Sequence, residues 1–353
     1  MSQKFSTLYF FGRPFSPVYS VIMRLREAFY MRGVKKRHRL NVPVISVGNL
    51  TMGGTGKTPL VAMLAAELLE QGLKPAIISR GYGGAAGEKV NVVSDGTEIF
   101  MDAQAAGDEP CFLAASLPGV AVLTGIVRIL PCRHAVEELG CNVLILDDGF
   151  QHMAVKRDLD LVLFSAAGLA GNSRVFPGGD LREPVTALKR CSAFVITGIN
   201  DSIKERAEKF GNLLTERFPD KPVFFTSYDA VAATSLQDGS ETDIRKLPSP
   251  LYAFCGIAQP ELFKESLTRQ AISLSGFMPL KDHQPFTPTL LRKIEKQAEE
   301  SSANGIITTE KDLIKLDKDA FNMPCFSLRM AVSAGDDFRT YIRTWSKENR
   351  PQA

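Results

Sequence analysis

From about residue 41 onward, hydrophobic residues fall into short unbroken runs separated by stretches in which they recur every three or four positions. The runs at 42–47, 74–79, 120–123, 141–146, 160–164 and 193–197 predict strands buried on both faces. Helical spacing at 60–70, 109–115 and 127–139 predicts helices between them, the last interrupted by Pro131. This alternation predicts a parallel sheet covered on both sides, whose ligands bind at the carboxyl ends of the strands. A hairpin at 90–100, turned by Asp95-Gly96, is predicted beside it.

The pattern weakens after a predicted helix at 202–217 and a strand at 223–226. Polar residues at 235–243 and the proline-containing 247–250 mark a boundary. Beyond it a smaller α/β unit is predicted, with strands at 251–256 and 305–308 and helices at 260–269 and 288–301. The run 325–330 predicts a returning strand that pairs with 223–226. The expected division is therefore an amino-terminal segment 1–40, a main domain 41–222, connector strands within 223–234 and 323–332, a smaller domain 235–322, and a carboxyl-terminal helix or tail 333–353.

The amino-terminal segment has a different pattern. Residues 16–31 predict a helix with Ser16 as its cap and Pro17 in its first turn. Val18, Val21, Ile22, Leu25 and Phe29 share one face, flanked by Tyr19 and Tyr30. The aromatic patch Leu8-Tyr9-Phe10-Phe11 precedes this helix, and Lys35-Lys36-Arg37-His38-Arg39 follows it. Two readings fit: a helix lying in the interface of an anionic bilayer, or a helix covering one side of its own domain.

Composition sharpens this picture. The 353 residues are 44% apolar and 23% charged, as in globular proteins, with net charge +3. Residues 1–50 hold nine Lys/Arg against the single acid Glu27, which leaves −5 on the remainder. A basic arm on an acidic body suits an anionic surface, and the aromatic content favours a membrane over nucleic acid. The six cysteines form no C-x-x-C pair and the four histidines no zinc spacing, so the thiols are read as packing residues of a reducing compartment. No secretory leader is expected, and no apolar run reaches the ~18–20 residues of a membrane-spanning helix.

Candidate chemistry centres on Thr51-Met52-Gly53-Gly54-Thr55-Gly56-Lys57-Thr58, between a predicted strand and a predicted helix. Backbone N–H groups of such a turn cradle phosphates at a helix N-terminus; Lys57 would neutralise the β- and γ-phosphates, and Thr58 would ligate Mg²⁺. The full phosphate-loop spacing asks for glycine at Thr51, so the match is to the shorter G-G-x-G-K-T form. Val143-Leu144-Ile145-Leu146-Asp147-Asp148 ends a strand in carboxylates, as the metal-supporting strand of such proteins does. Asp108-Glu109 at a helix start either complement the helix dipole or serve as general base and magnesium ligand. Arg80, in the loop Ser79-Arg80-Gly81-Tyr82-Gly83-Gly84, joins Arg128, Arg174 and Arg182 as a candidate for anion contact; solvent exposure is the alternative for each. His283, alone in the smaller domain, is structural unless the domains close over substrate.

These pieces, in this order, resemble the tetraacyldisaccharide 4′-kinase (lipid A 4′-kinase) family of Gram-negative bacteria. The resemblance rests on Val47-Gly48-Asn49-Leu50-Thr51 through Lys57-Thr58-Pro59, Ser79-Arg80-Gly81-Tyr82-Gly83, Gly107-Asp108-Glu109-Pro110 and Asp147-Asp148-Gly149-Phe150-Gln151-His152. It continues in Gly171-Asn172, Leu181-Arg182-Glu183-Pro184, Asp282-His283 and Thr309-Glu310-Lys311-Asp312. Asp180, where the family usually has proline, and Ala258, where it has glycine, depart from the pattern.

The resemblance implies a phosphate-loop NTPase-like three-layer α/β/α domain and a smaller α/β domain joined by a two-stranded connector. It implies ATP- and Mg²⁺-dependent phosphoryl transfer to the 4′-hydroxyl of an acylated glucosamine disaccharide 1-phosphate, on the cytoplasmic face of the inner membrane. Asp108 is then the general base and His283 its partner, with Lys57, Arg80 and Arg128 also catalytic. Thr58, Asp147, Asp148 and Glu109 surround the metal, and the amino-terminal helix is read as a membrane anchor. A monomer without a nucleic-acid partner is expected. The competing readings are a switch or partitioning ATPase, which would carry lysine at Met52, and a kinase of a soluble small molecule.

Overall fold

The unbroken apolar runs become the central strands of one sheet, because side chains covered from both sides need no polar alternation. The computed structural model describes residues 9–257, 260–282 and 284–350. Leu8, Ala258 and His283, each named above, lie outside the described residues.

The strands are β1 Val44–Asn49, β2 Pro75–Ser79, β3 Asn91–Ser94, β4 Ala121–Thr124, β5 Val143–Asp147, β6 Leu159–Ser165 and β7 Ala193–Thr197. They continue with β8 Val223–Ser235, β9 Glu241–Thr242, β10 Leu251–Cys255, β11 Leu274–Pro279, β12 Ile306–Thr309 and β13 Cys325–Ala334. The order across the sheet is β11-β10-β12-β13-β8-β7-β6-β1-β5-β2-β4-β3, with β9 pairing on β8. Strands from β8 to β4 along this path are mutually parallel, and β3 closes that edge antiparallel to β4; the predicted 90–100 hairpin is reduced to a turn with a single Ser94–Ile99 bridge. Strands β11, β10, β12 and β13 form a second parallel set, joined to the first by the antiparallel β13–β8 ladder. The chain leaves β1 toward β2 on one side and later fills β6 and β7 on the other. The direction of winding therefore reverses beside β1, where such sheets bind ligands.

Helices cover both faces. They are α1 Ser16–Met31, α2 Lys57–Glu70, α3 Ala103–Ala106, α4 Asp108–Ser116, α5 Ile129–Glu137, α6 Lys204–Arg217, α7 Pro260–Arg269, α8 Pro288–Glu300, α9 Glu310–Leu313 and α10 Asp336–Glu348. Leu60, Leu64 and Leu68 of α2, Leu113 of α4, and Phe338 and Ile342 of α10 pack on Ile45, Val47 and Ile145. On the opposite face, α5 packs Cys132 and Ala135 on Ile78 and Leu144, and α6 packs Leu214 among Phe194 and Phe218. Each fully buried Leu or Phe contributes about 1.5–3 kcal/mol, so these faces hold the helices more than intrinsic propensity does. Glu67 of α2, buried, is paired with Arg339 (3.1 Å) and Arg343 (2.5 Å), fastening α10 across α2.

Three expectations change. Ser16 is not a cap: an Arg13–Phe15 3₁₀ turn precedes it, and its hydroxyl donates to Val175 O and accepts from Gly178 N. Pro131 falls in the first turn of α5, where its missing N–H is an orphan anyway, so it does not break that helix. The returning strand pairs with β8, but 326–330 meets 230–235, and Thr226 pairs with Ala334.

Candidate active site

The turn after β1 is set by Gly56, whose left-handed φ of 71° places it as the residue capping α2. A β-carbon there would also collide with the Tyr228 hydroxyl. Glycine is required on both counts. Gly53, Gly54 and Met52 are exposed along the loop, while Thr51 and Thr55 are buried. Thr197, at the end of β7, donates to Thr55 O (2.8 Å), tying the loop to the neighbouring strand.

The loop is braced from beneath by Asn49. Its amide donates to Thr51 O (2.7 Å), and its Oδ1 accepts from Lys57 Nζ (3.2 Å). The segment 180–182 runs antiparallel alongside: Met52 N donates to Asp180 O (2.7 Å) and Arg182 N to Leu50 O (2.8 Å). Asp180 is thereby given a task that proline would not perform. Its carboxylate accepts from Asn172 N (3.2 Å) and from the Tyr9 hydroxyl, whose pKa is pushed up to about 12 by burial and then by this bond.

Asp147 ends β5, buried, with Oδ1 lacking a hydrogen-bond partner. Burial, then the neighbouring Glu109, push its carboxyl up to about 6. Asp148 adopts a left-handed φ of 50°, costly for most side chains but tolerated by aspartate. Its carboxylate faces Lys57 (3.5 Å) and Arg182 (2.8 Å), while its carbonyl accepts from the buried Arg128 (2.8 Å). Partial burial opposes its ionisation, but Lys57 and Arg182 hold the Asp148 carboxyl below the usual range.

Gly107, at φ 94°, opens α4, and a β-carbon there would strike Tyr82 O; this brings the Asp108-Glu109 start against the 79–84 loop. The Thr58 hydroxyl lies beside Glu109. Burial opposes ionisation of Glu109, but Lys311, Lys57 and that hydroxyl outweigh it and lower its pKa. Asp108 Oδ2 lies 3.3 Å from Lys315 Nζ, and Glu109 Oε1 lies 2.6 Å from Lys311 Nζ.

Lys57, Thr58, Glu109, Asp147, Asp148 and Arg128 therefore meet in one place. Burial lowers the pKa of Arg128 and of His152, and the exposed Arg80 is near enough to both for its charge to add to the lowering. Burial and these cations depress His152 to about 4, which keeps its imidazole neutral. Arg174 is exposed. The pairings of Lys311 and Lys315 carry no signal in the sequence, because partners some two hundred residues apart leave no local pattern.

The donor set suits a magnesium ion. Asp147 offers an orphaned buried oxygen beside the Thr58 and Glu109 pair, and no group of three or more His, Cys, Asp or Glu among the described residues forms a full protein cage. Mg²⁺ takes one or two carboxylates and completes its shell from phosphates and water.

The comparisons follow the same lines. A family model described as tetraacyldisaccharide-1-P 4'-kinase matches residues 8–346. The chain is 48% identical over 340 residues to the tetraacyldisaccharide 4'-kinase of Desulfotalea psychrophila, covering 96% of this chain and 97% of that one. It is 40% identical over 344 residues to the tetraacyldisaccharide 4'-kinase of Syntrophus aciditrophicus, covering 95% and 92%. The crystal structure of LpxK from Aquifex aeolicus in complex with ATP superposes with a TM-score of 0.78 at 32% identity, covering 97% of this chain and 99% of that chain.

Proposed function

The chain belongs to the tetraacyldisaccharide-1-P 4'-kinase family, and from that premise we propose that it transfers the γ-phosphoryl group of ATP to the 4′-hydroxyl of a tetraacyldisaccharide 1-phosphate, a step of lipid A biosynthesis. The observation that carries this reading is the seating of Lys57, 3.2 Å from Asn49 Oδ1 and 3.5 Å from the Asp148 carboxylate, on a helix against which α4, opening on Asp108, is packed.

In-line transfer needs positioning and charge stabilisation more than covalent chemistry. The backbone of Gly53, Gly54, Thr55 and Gly56 orients the β- and γ-phosphates, with Thr51 and Met52 at the loop's entry. Lys57 neutralises them, prepositioned by Asn49. Arg128 and Arg80 add positive charge at the strand ends. A Mg²⁺ ion held by Thr58 and Asp147, with Glu109 and Asp148 close by, would supply charge neutralisation at the phosphate oxygens. Asp108 accepts the proton of the attacking sugar hydroxyl, a contribution of about 10²–10⁴-fold. His283 is assigned as the partner of Asp108. An open cavity of about 720 Å³ at the end of β7, bordered by Asn200, Ser202 and Tyr228, suits the nucleoside of ATP.

Residues 41–222 are assigned as the kinase domain and 235–322 as the smaller domain, connected by the β8–β13 pair. Helix α1 supports a location at the cytoplasmic face of the inner membrane. Its polar face is spent inward, Arg26 donating to Gln151 O (3.0 Å) and Glu27 pairing with Arg190 (3.1 Å). Val18, Val21, Ile22 and Leu25 face outward, each more than half exposed. No described helix is long and apolar enough to cross a membrane. The outward apolar face of α1 beside the basic 32–39 stretch supports a place in the interface. The protein acts there as a monomer.

The deciding experiment is transfer of label from γ-labelled ATP onto detergent-dispersed acylated disaccharide 1-phosphate. Label appearing only as free phosphate would point to a nucleotide switch, and label on a water-soluble sugar alone to a different kinase.

A further inference from the structure

Lys315 lies two residues past α9 and three beyond the Thr309-Glu310-Lys311-Asp312 segment, 207 residues from Asp108, and belongs to the opposite wall of the cleft. Its ammonium lies 3.0 Å from Asp312 Oδ1 and 3.3 Å from Asp108 Oδ2, and it sits 5.2 Å from the centroid of the Phe286 ring. Asp312 is fully buried and rigidly held: Oδ2 accepts from Gly256 N (2.8 Å) and from the Thr309 hydroxyl (2.8 Å). A lysine ammonium on a flexible stem is normally a poor locator. Here the anchored carboxylate of Asp312 and the Phe286 face fix where it sits. Lys311, one helical turn earlier, meets Glu109 in the same way at 2.6 Å.

We propose that Lys315, anchored by Asp312, is a positioning residue for Asp108: it orients the base carboxylate from across the cleft without touching either substrate. The proposal rests on the reading of Asp108 as the general base. It gives the Thr309–Asp312 segment a task in the chemical step, and it predicts that losing the ammonium lowers turnover while binding is kept. A misplacement of a reacting group by about 1 Å costs on the order of 10²-fold in rate.

The test uses the full-length protein with Mg-ATP and detergent-dispersed acylated disaccharide 1-phosphate. Lys315→Met keeps the stem and its packing on Phe286; Lys315→Arg keeps the cation. Lys315→Met is expected to lower kcat by about 10–100-fold with KM for ATP and lipid within about threefold, and Lys315→Arg to recover most of the loss. Combined with Asp108→Asn, Lys315→Met should add less than about threefold, since its effect passes through the base. Wild-type turnover by Lys315→Met, failure of Lys315→Arg to recover activity, or an equal loss in the Asp108→Asn background would each overturn the proposal. Wild-type turnover by Asp108→Asn alone would remove the base assignment itself, and the proposal with it.

Discussion

Arg182 Nη1 reaches both carboxylate oxygens of Asp148, at 2.8 and 2.9 Å, while Lys57 approaches the same carboxylate at 3.5 Å. Two cations therefore share one anion at the mouth of the phosphate loop. Both Arg182 and Asp148 are partly exposed, so the pair contributes little to folding. Its value lies in where it leaves Lys57. Arg182→Ala should lower kcat/KM by about 10–100-fold, the scale of a lost charge-assisted hydrogen bond, with a nearly unchanged melting temperature. Steady-state kinetics beside a thermal melt check both halves; a large drop in melting temperature would make the pair structural.

Asp108→Asn should reduce kcat by about 10²–10⁴-fold while leaving ATP affinity close to that of the parent. Nucleotide titration and single-turnover transfer on the same preparation separate the two. Near-normal turnover would exclude this carboxylate as the base.

Glu310 Oε2 accepts from Met330 N (3.1 Å), and burial pushes its carboxyl up to about 7. A carboxyl whose folded pKa exceeds its unfolded value favours the folded state below the unfolded pKa. That contribution disappears as pH rises through about 7. The parent protein should therefore lose about 1–2 kcal/mol between pH 5 and 8 from this group, allowing for its partial exposure. Glu310→Gln should flatten that slope. Denaturant melts across this range measure it, and identical slopes in the two proteins would refute the assignment.

Leu25→Glu changes an exposed position of α1, so folding and nucleotide binding should survive. Partitioning onto anionic vesicles should fall by roughly tenfold or more, because an apolar side chain is lost and a charge is placed in the interface. Raising the salt should weaken parent binding through the basic 32–39 stretch. Co-sedimentation that is indifferent to this substitution would leave α1 as a cover for its own domain.

Much of the molecule was legible because its signals are local. The phosphate loop, the carboxylate ending β5 and the Asp108-Glu109 start of α4 each sit at a strand or helix terminus that periodicity alone locates. What escaped depends on distant partners or weak patterns. Strand β11 reads Leu-Ser-Gly-Phe-Met-Pro, an edge strand with glycine inside and proline at its end, without the alternation that marks a half-buried strand. The second half of β8 is built of small and polar residues that become a strand only by pairing with β13. Ser16 has the chemistry of a cap, but its hydroxyl is claimed by Val175 and Gly178, 159 and 162 residues away. Lys315 is an ordinary lysine until the fold brings it to Asp108.

Strand β8 is bonded to β7 near its start and to β13 along the rest of its length. A flexible tether would let the two parallel sets tumble independently and meet at random. A shared, hydrogen-bonded ribbon permits only twisting and bending, so each excursion stores elastic energy and has a preferred direction. The wall bearing Lys311 and Lys315 is thus held in register with the two carboxylates it meets, Glu109 and Asp108.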